Sequence, residues 1–344
     1  MILAGDIGGT KTVIAHYEES GGSLRQVRAA TYHSRDYRSL EDILASYLKD
    51  SPGAAPRAGC FGVAGTVIDG KCRTTNLPWE LDEQALAEAV GAPRVKLLND
   101  LEATGYGILH LPADELCALN PGSRPGRRGN AAVIAAGTGL GEAILYWDGV
   151  RHHPIASEGG HADFAPRTDQ EIDLLRYLRA KVGGRVSVER VLSGPGFHDI
   201  YCFLRDSGHA AESPQLAALL RTEDPNPTIT RLRLAGEDPL CVATLQLFSA
   251  LYGSEAGNLA LKCLAVGGVF VGGGIAPKVL PVLQDGSFLR GFTDKGRFTD
   301  LMKGIEVSVA LNPAAALIGA AYSALHLCPP RAARGRRPGA PGPS

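Results

Sequence analysis

The feature that most limits this chain is a theme stated twice and echoed a third time: an apolar strand that stops at a glycine-rich turn. Ile2 to Asp6 reads as a short buried strand, Gly8-Gly9 supply backbone freedom for a turn, and Lys11 to Tyr17 return with β-branched residues. Further on, Ala131–Ala136 runs into Gly137-Thr138-Gly139, and Glu142–Trp147 leads away from it. A third turn, Gly272-Gly273-Gly274, follows the apolar run Gly267–Val271. These clusters matter because 43 glycines in 344 residues is well above the ~7% of ordinary proteins. Two copies of one hairpin imply a duplicated architecture, one copy per domain, which suits a chain of this length.

Between the turns, strands and helices alternate. Ser39-Leu40-Glu41-Asp42 opens an amphipathic helix to about Asp50 with a capping-box-like start, and Asp82 caps another that stops at Gly91. Strands are expected at Gly59–Val63, around Thr66–Thr75 and at Val95–Leu98, which places this region in the α/β class. Pro121 to Gly129 has loop composition and marks a turn near a domain boundary. Helices are expected at Glu171–Val182 and Leu240–Ala265, the second with Gly253 and Gly257 four apart, where a neighbour can pack closely. The tail from Pro329 to Ser344 has five prolines, four arginines and no acid, and reads as disordered.

Charge and cysteine usage exclude several roles. Thirty-five basic and 36 acidic residues leave a net charge of −1, so no global field draws the protein to nucleic acid or an anionic membrane. Seven scattered cysteines without a CxxC pair suggest neither a disulfide framework nor a thiolate metal site, and point to a reducing compartment. Only four residues precede Gly5-Asp6, and Gly, Pro or Lys interrupts every long apolar run, so neither a signal segment nor a membrane span is expected. The expectation is a cytoplasmic protein.

Glycine turns at strand ends are what a phosphate-binding cleft needs, because unhindered backbone N–H groups can approach the anion. Any single hairpin turn favours glycine; three, with Thr10 and Thr138 each beside one, favour phosphate. Asp6 at the end of the first strand would repel a phosphate unless a cation intervenes, Mg²⁺ being the usual one, so the implied ligand is a magnesium nucleotide. Gly65 to Cys72 fits G-x-x-x-x-G-K but ends in Cys where a P-loop has Ser or Thr, and its Asp69-Gly70 reads better as a hairpin turn.

Asn99 and Asp100 stand where a buried strand gives way to a helix, the point at which side chains of open α/β sheets face the crevice. Asp100 alone would read equally as a helix N-cap. A second polar cluster, Ser157-Glu158-Gly159-Gly160-His161, shifts that balance. Glu158 and His161 have the E-x-x-H spacing of some helical metal sites, but the glycines between them oppose a helix; a loop aiming two side chains at a polar ligand fits better. Glu189, by default a solvated helix-face carboxylate, is a third candidate.

Taken in order, Gly5-Asp-Ile-Gly-Gly-Thr10, Leu98-Asn-Asp100, Ala136-Gly-Thr-Gly-Leu-Gly141, Ser157-Glu-Gly-Gly-His161, Glu189-Arg-Val-Leu-Ser-Gly194 and Gly272-Gly-Gly-Ile275 resemble the ordered motifs of the bacterial glucokinase family, within the actin/hexokinase/Hsp70 superfamily, over about residues 1 to 327. Phe164-Ala-Pro166 and Asp294-Lys-Gly-Arg-Phe298 look like further signatures of it. The resemblance implies two ribonuclease-H-like α/β domains of the actin/hexokinase type with a cleft between them: residues 1–111 completed by 312–327, then 112–311, then the 328–344 tail. It implies transfer of the γ-phosphoryl of ATP to the 6-hydroxyl of D-glucose. Asp100 would be the catalytic base, and Asn99, Asp100, Glu158, His161 and Glu189 would hold the sugar, with Asn76 a further contact. Gly5, Asp6, Ile7, Gly8, Gly9, Thr10 and Gly137, Thr138, Gly139 would bind phosphates, Gly273 and its neighbours would lie near the adenosine, and Asp6 would hold Mg²⁺ through water. A homodimer follows from the family.

Two features stand apart. Thr10-Lys11-Thr12 is nearer the broader ROK kinases, yet the cysteine-rich zinc motif of many ROK proteins is missing, so no zinc is expected. Rival readings are a kinase of another hexose or an amino sugar, a donor other than ATP, a sugar-sensing repressor, and an Hsp70- or actin-like ATPase. The repressor needs a DNA-binding module for which the start leaves no room. The ATPase would have no use for Glu158, His161 and Glu189.

Overall fold

The first hairpin forms where the sequence puts it. In the computed structural model, which describes residues 1–20, 23–50, 55–121 and 126–328, β1 (Ile2–Ile7) pairs antiparallel with β2 (Lys11–Ser20), and β3 (Ser23–His33) extends the meander. The Pro/Arg-rich tail and residues 122–125 of the boundary loop lie outside the described residues. α1 (Leu40–Lys49) starts at Ser39, whose hydroxyl accepts the Asp42 N–H. β4 (Gly59–Val63) lies parallel to β1 with all five residues buried, as a strand covered on both faces requires.

A small antiparallel sheet follows, made of β5 (Val67–Ile68), β6 (Lys71–Arg73) and β7 (Glu80–Asp82). Its first turn has φ of 50° at Asp69 and 74° at Gly70, so both central residues are left-handed, as in a tight hairpin and not a phosphate loop. α2 (Glu83–Val90) is capped by Asp82 and closed by left-handed Gly91. β8 (Val95–Asn99) then runs parallel to β4 and delivers the chain into α3 (Asp100–Ile108). The strand order is β3-β2-β1-β4-β8.

The second half repeats this plan. After the short β9 (Leu116–Ala118) come β10 (Ala131–Ala136), β11 (Leu140–Trp147) and β12 (His152–Ser157), again a meander. α4 (Asp169–Val182), α5 (Gly194–Asp206), α6 (Pro214–Leu219), α7 (Pro225–Ala235) and α8 (Pro239–Cys263) intervene before β13 (Val269–Gly272), which is parallel to β10. α9 (Leu280–Leu283), α10 (Ser287–Thr293) and α11 (Thr299–Lys303) lead to β14 (Val307–Ala310), parallel to β13. The order β12-β11-β10-β13-β14-β9 matches the first sheet strand for strand, with β9 added at the edge. The duplication inferred from two hairpins therefore extends through five strands of each sheet.

α12 (Ala315–Leu327) returns to the first sheet, where Leu317, Ala320, Ala321 and Ala324 share a core with Ile2, Ala4, Cys60 and Leu98. It crosses α3 with backbones nearly touching: a Cβ on Gly107 would overlap the Ala315 carbonyl, and one on Gly319 the Ala103 carbonyl. α3 also faces the second sheet, since a Cβ on Gly105 would lie 2.8 Å from Leu145 Cδ2 of β11. This helix pair is the joint between the sheets. The expected close approach on α8 is equally real: a Cβ on Gly253 would overlap the Phe288 carbonyl of α10, and one on Gly257 would lie 2.7 Å from the Phe292 carbonyl. α8 stops at Cys263, two residues before the expected end, because Leu264 turns left-handed with φ 49°. Among the described residues no helix is long and apolar enough to cross a membrane.

Candidate functional site

The ends of β1 and β10 carry their glycine turns to one cavity of about 660 Å³ between the two sheets. The first half contributes Asp6, Gly8, Gly9, Asn76, Asn99 and Asp100 to its wall. From the second half come Gly137, Thr138, Gly139, Glu158, His161, Glu189 and Gly273. Gly5, Ile7 and Thr10 are not brought to this wall. Strand alternation turns Gly5 and Ile7 to the face opposite Asp6, where a Cβ on Gly5 would meet Phe61 Cδ1 at 2.5 Å and Ile7 is 2% exposed in the core. Thr10 stands exposed at the hairpin tip.

The glycines serve a purpose other than the expected one. Neither Gly8 nor Gly9 takes a positive φ. Instead a Cβ on Gly8 would come within 2.9 Å of the Lys11 carbonyl, and one on Gly9 within 2.6 Å of Asn76 Cβ. What the first turn needs is the absence of a side chain, so that neighbouring chain can approach. Gly273 needs both properties: its φ is 83°, and a Cβ there would overlap the Ala136 carbonyl.

At the β8–α3 junction the cap is Asn99, whose Oδ1 accepts the Leu101 N–H at 3.0 Å while its Nδ2 donates to the Gly65 carbonyl at 3.1 Å. Asp100 is thereby released from the capping role that its position alone would suggest, although its Oδ1 also accepts the Leu101 N–H at 2.9 Å. Burial pushes the Asp100 carboxyl up to about 6; the Leu101 N–H opposes this, and the charges of Asp6 and Glu158 add to it. Asp100 thus senses an acid from each half of the molecule. Asp6 is also held above the usual carboxylate range by burial, with Lys11 opposing.

Across the cleft, β12 ends at Ser157 and a single 3-10 turn, Gly159–His161, presents the polar cluster. Glu158 Oε1 accepts the Thr66 hydroxyl at 3.1 Å, a bond that joins the second half of the chain to the first. Its Oε2 lies 4.0 Å from His161 Nε2. Glu189 is not the solvated helix residue of its default reading: it lies in the 3-10 turn Val188–Arg190, and its Oε2 accepts the Leu140 N–H at 2.9 Å beneath the Gly137–Gly139 turn.

Two acids of raised pKa share the cavity, and among its lining residues only His161 can carry a positive charge. That donor set suits a hydrated cation near Asp6. Among the described residues no group of three or more His, Cys, Asp or Glu side chains is arranged to hold a metal unaided.

A second cavity of about 960 Å³ went unforeseen in the sequence. It adjoins the first through Gly137 and Thr138, and Pro195, Phe197, Leu234, Ile275 and Lys278 form its walls. The Gly194 N–H donates to the Gly137 carbonyl at 2.8 Å, and Asn226 Nδ2 to the Gly194 carbonyl at 2.8 Å, which ties α5 and α7 to the second turn. The readable signal was Asp224-Pro225, an N-cap followed by proline at the head of α7.

Comparison with known proteins identifies the family of the chain. The family model described as Glucokinase matches residues 3–327. A glucokinase of Nostoc punctiforme is 44% identical over 340 residues, covering 95% of this chain and 99% of that protein. Among solved structures, a glucokinase from an Antarctic psychrotroph is similar at a TM-score of 0.82 and 30% identity, covering 94% of this chain and 98% of that one. A ROK family glucokinase from Streptomyces griseus, in complex with glucose and AMPPNP, shares the fold at a TM-score of 0.62 and 22% identity over 94% and 99% of the two chains.

Proposed function

Because the chain belongs to the glucokinase family, ATP-dependent glucose kinases built on the two-domain actin/hexokinase fold, we propose a division of labour for the residues of its cleft. Glucose occupies the 660 Å³ cavity, and the nucleoside of ATP occupies the 960 Å³ cavity. The triphosphate passes between them over Gly137-Thr138, the wall that the two cavities share, with Gly8-Gly9 on the other side. That shared wall is the observation that carries the reading: it sets a nucleotide-sized space, a glycine turn and an acid of raised pKa in succession. The lobes of this reading are 1–111 with 312–327, and 112–311.

Phosphoryl transfer through a loose, in-line transition state asks the protein mainly for positioning and charge stabilisation. Asp100 orients the 6-hydroxyl and takes its proton. A carboxyl that titrates near 6 is ionised at neutral pH yet basic enough to help, and general-base assistance of this kind is worth ~10²- to 10⁴-fold. Asn99, Glu158, His161 and Glu189 hold the remaining hydroxyls, with Asn76 beside Gly9 at the rim. Mg²⁺, held through water by Asp6, supplies charge neutralisation on the phosphates when bound. The Thr66–Glu158 bond at 3.1 Å supports lobes that meet across the cleft; closure of this kind keeps water from competing for the phosphoryl group.

A coupled assay over a panel of hexoses and phosphoryl donors tests the substrates, and turnover of Asp100→Ala within about threefold of wild type would move the base elsewhere. The homodimer and the cytoplasmic setting that the family implies belong to the same proposal, and sedimentation velocity checks the first.

A further inference from the structure

Behind the loop that carries Glu158 and His161 lies a buried acid that takes no part in positioning the phosphates or activating the hydroxyl. Glu142 on β11 is 1% exposed and faces Ser157 across the β11–β12 ladder, directly beneath the start of that loop. Its Oε1 has no hydrogen-bond partner among the described residues. Its Oε2 is packed under Gly159, where an added Cβ would overlap it. A carboxylate in such a place, with one oxygen unpaired, carries a desolvation penalty that a structure tolerates only when the group is neutralised or serves a purpose.

The neutralising partner is at hand. Glu255 on α8, 6% exposed, is within hydrogen-bonding reach of Glu142. Glu255 also accepts Asn258 Nδ2 at 2.9 Å and faces Lys262 Nζ at 3.4 Å. One lysine cannot balance two adjacent buried carboxylates, so the pair is stable with a single shared proton. Burial first, then the Glu255 charge, pushes Glu142 up to about 7, against the pull of Lys262.

Besides the Thr66 bond to Glu158 and the Arg185 Nη1 bond to the His161 carbonyl at 2.7 Å, three contacts at its base hold the loop above. The Gly159 N–H donates to the Ser157 hydroxyl at 2.9 Å, Gly160 rests so closely on Leu140 that a Cβ would overlap its carbonyl, and Gly159 rests on Glu142. Only the last of these supports changes charge near neutral pH. We propose that Glu142 is a positioning residue for the sugar: as a neutral acid hydrogen-bonded to Glu255, it is the floor on which the Ser157–His161 loop rests and so fixes where Glu158 and His161 point. This rests on the reading of that loop as the sugar side of the cleft.

The groups facing Glu142 decide what its ionisation does. α8 offers Glu255, Lys262, Tyr252 and Cys263; β12 offers the Ser157 hydroxyl; β10 offers Ile134, which carries no charge. A second negative charge meets one cation already shared with Glu255, so the pair separates and the glycine resting on it shifts. Glucose binding therefore weakens as pH rises through neutrality, while the nucleotide side is untouched.

The test is glucose and ATP kinetics from about pH 6 to pH 9 on wild type, Glu142→Gln, Glu142→Leu and, as a control, Glu158→Gln. In wild type the glucose KM rises at least about threefold across that range while the ATP KM holds. Glu142→Gln keeps the shape and a donor without the titration: its glucose KM stays within about twofold of wild type at the acid end and is flat with pH. Glu142→Leu removes the support and raises the glucose KM about tenfold at every pH, with kcat moved far less. The proposal is overturned if Glu142→Gln keeps the wild-type pH slope, or if Glu142→Leu lowers thermal stability without separating the glucose KM from that of ATP. Should Glu142→Leu not fold, the wild-type and Glu142→Gln profiles decide. A Glu158→Gln enzyme with unchanged glucose KM would fault the sugar-side reading itself, whereas a raised KM there beside a normal Glu142→Leu faults only the role of Glu142.

Discussion

Replacing Asp100 by Asn separates the catalytic role proposed for this residue from what its buried charge costs the fold. Its carboxyl titrates at about 6 instead of 3.8, and at about 1.4 kcal/mol for each tenfold change in proton affinity that difference amounts to roughly 3 kcal/mol of strain in the charged form. The sign follows from linkage. A carboxyl whose folded pKa is raised destabilises the fold fully above pH 6, where it is charged in both states, and not at all below 3.8, where it is neutral in both. Asn can still accept the Leu101 N–H, and Asn99 caps the helix in any case, so the substitution opens no cavity and breaks no cap. Asp100→Asn is therefore expected to stabilise the ligand-free protein by up to about 3 kcal/mol at pH 8, a rise of several degrees in Tm, with the gain gone by about pH 4. Turnover should fall ~10²- to 10⁴-fold while the glucose KM changes little, because Glu158, His161 and Glu189 remain. Paired thermal melts at about pH 8, 6 and 4, beside the coupled assay, read both quantities. A lower Tm than wild type at pH 8, or a gain that does not shrink on acidification, would refute the electrostatic reasoning.

Three other substitutions probe the cleft. Thr66→Val removes the hydroxyl that reaches Glu158 from the other half of the chain; if the proposed lobes close on the sugar, a bond worth about 1 kcal/mol shifts the closed population several-fold, so the glucose KM should rise about two- to fivefold with kcat retained, and an unchanged KM would mean that this contact does not report closure. Leu234 is 45% exposed on the wall of the larger cavity, so Leu234→Glu should fold normally, raise the ATP KM at least about fivefold through charge repulsion and leave the glucose KM alone; equal effects on both substrates would remove the nucleoside from that cavity. Gly137→Ala places a methyl where nothing lies within 4 Å, so melts should not distinguish it from wild type, while isothermal titration should show ATP binding weakened about tenfold; full retention of affinity would take the triphosphate off this turn.

What the sequence disclosed, and what it concealed, divides along physical lines. Hairpins and capped helices were legible because each is a local statement: an apolar run ended by glycine, or Ser39 and Asp82 accepting N–H groups of their own helices. β3 was not, because none of its residues is fully buried: Leu24, Ala30 and Tyr32 pack only partly against the cores, and the polar run Arg25-Gln26 and Arg28 breaks up the alternation that would mark a strand. α5 to α8 each begin with a Ser or Asp cap and a proline within the first two positions, a signal that stands in the sequence as plainly for α5, α6 and α7 as for the long α8. The polar residues of the site could be found because Asp100, Glu158 and His161 sit at the ends of strands, where a fold of this class has its crevice. The larger cavity was harder to find, since apart from the capped start of α7 at Asp224-Pro225 its walls mix Pro, Phe, Leu and Ile with scattered polar residues such as Asn226, Thr230 and Lys278 that acquire meaning only when α5, α7 and the segment after β13 meet. The glycines show the limit most directly. A glycine kept for a left-handed φ, one kept because a neighbouring residue sits where its side chain would be, and one whose missing side chain leaves room for a ligand look alike in sequence. Gly70, Gly9 and Gly137 are one of each: the first has φ of 74°, the second faces Asn76 at 2.6 Å, and the third faces open space. Since the fold itself makes no demand at Gly137, any demand there must come from what the cleft binds.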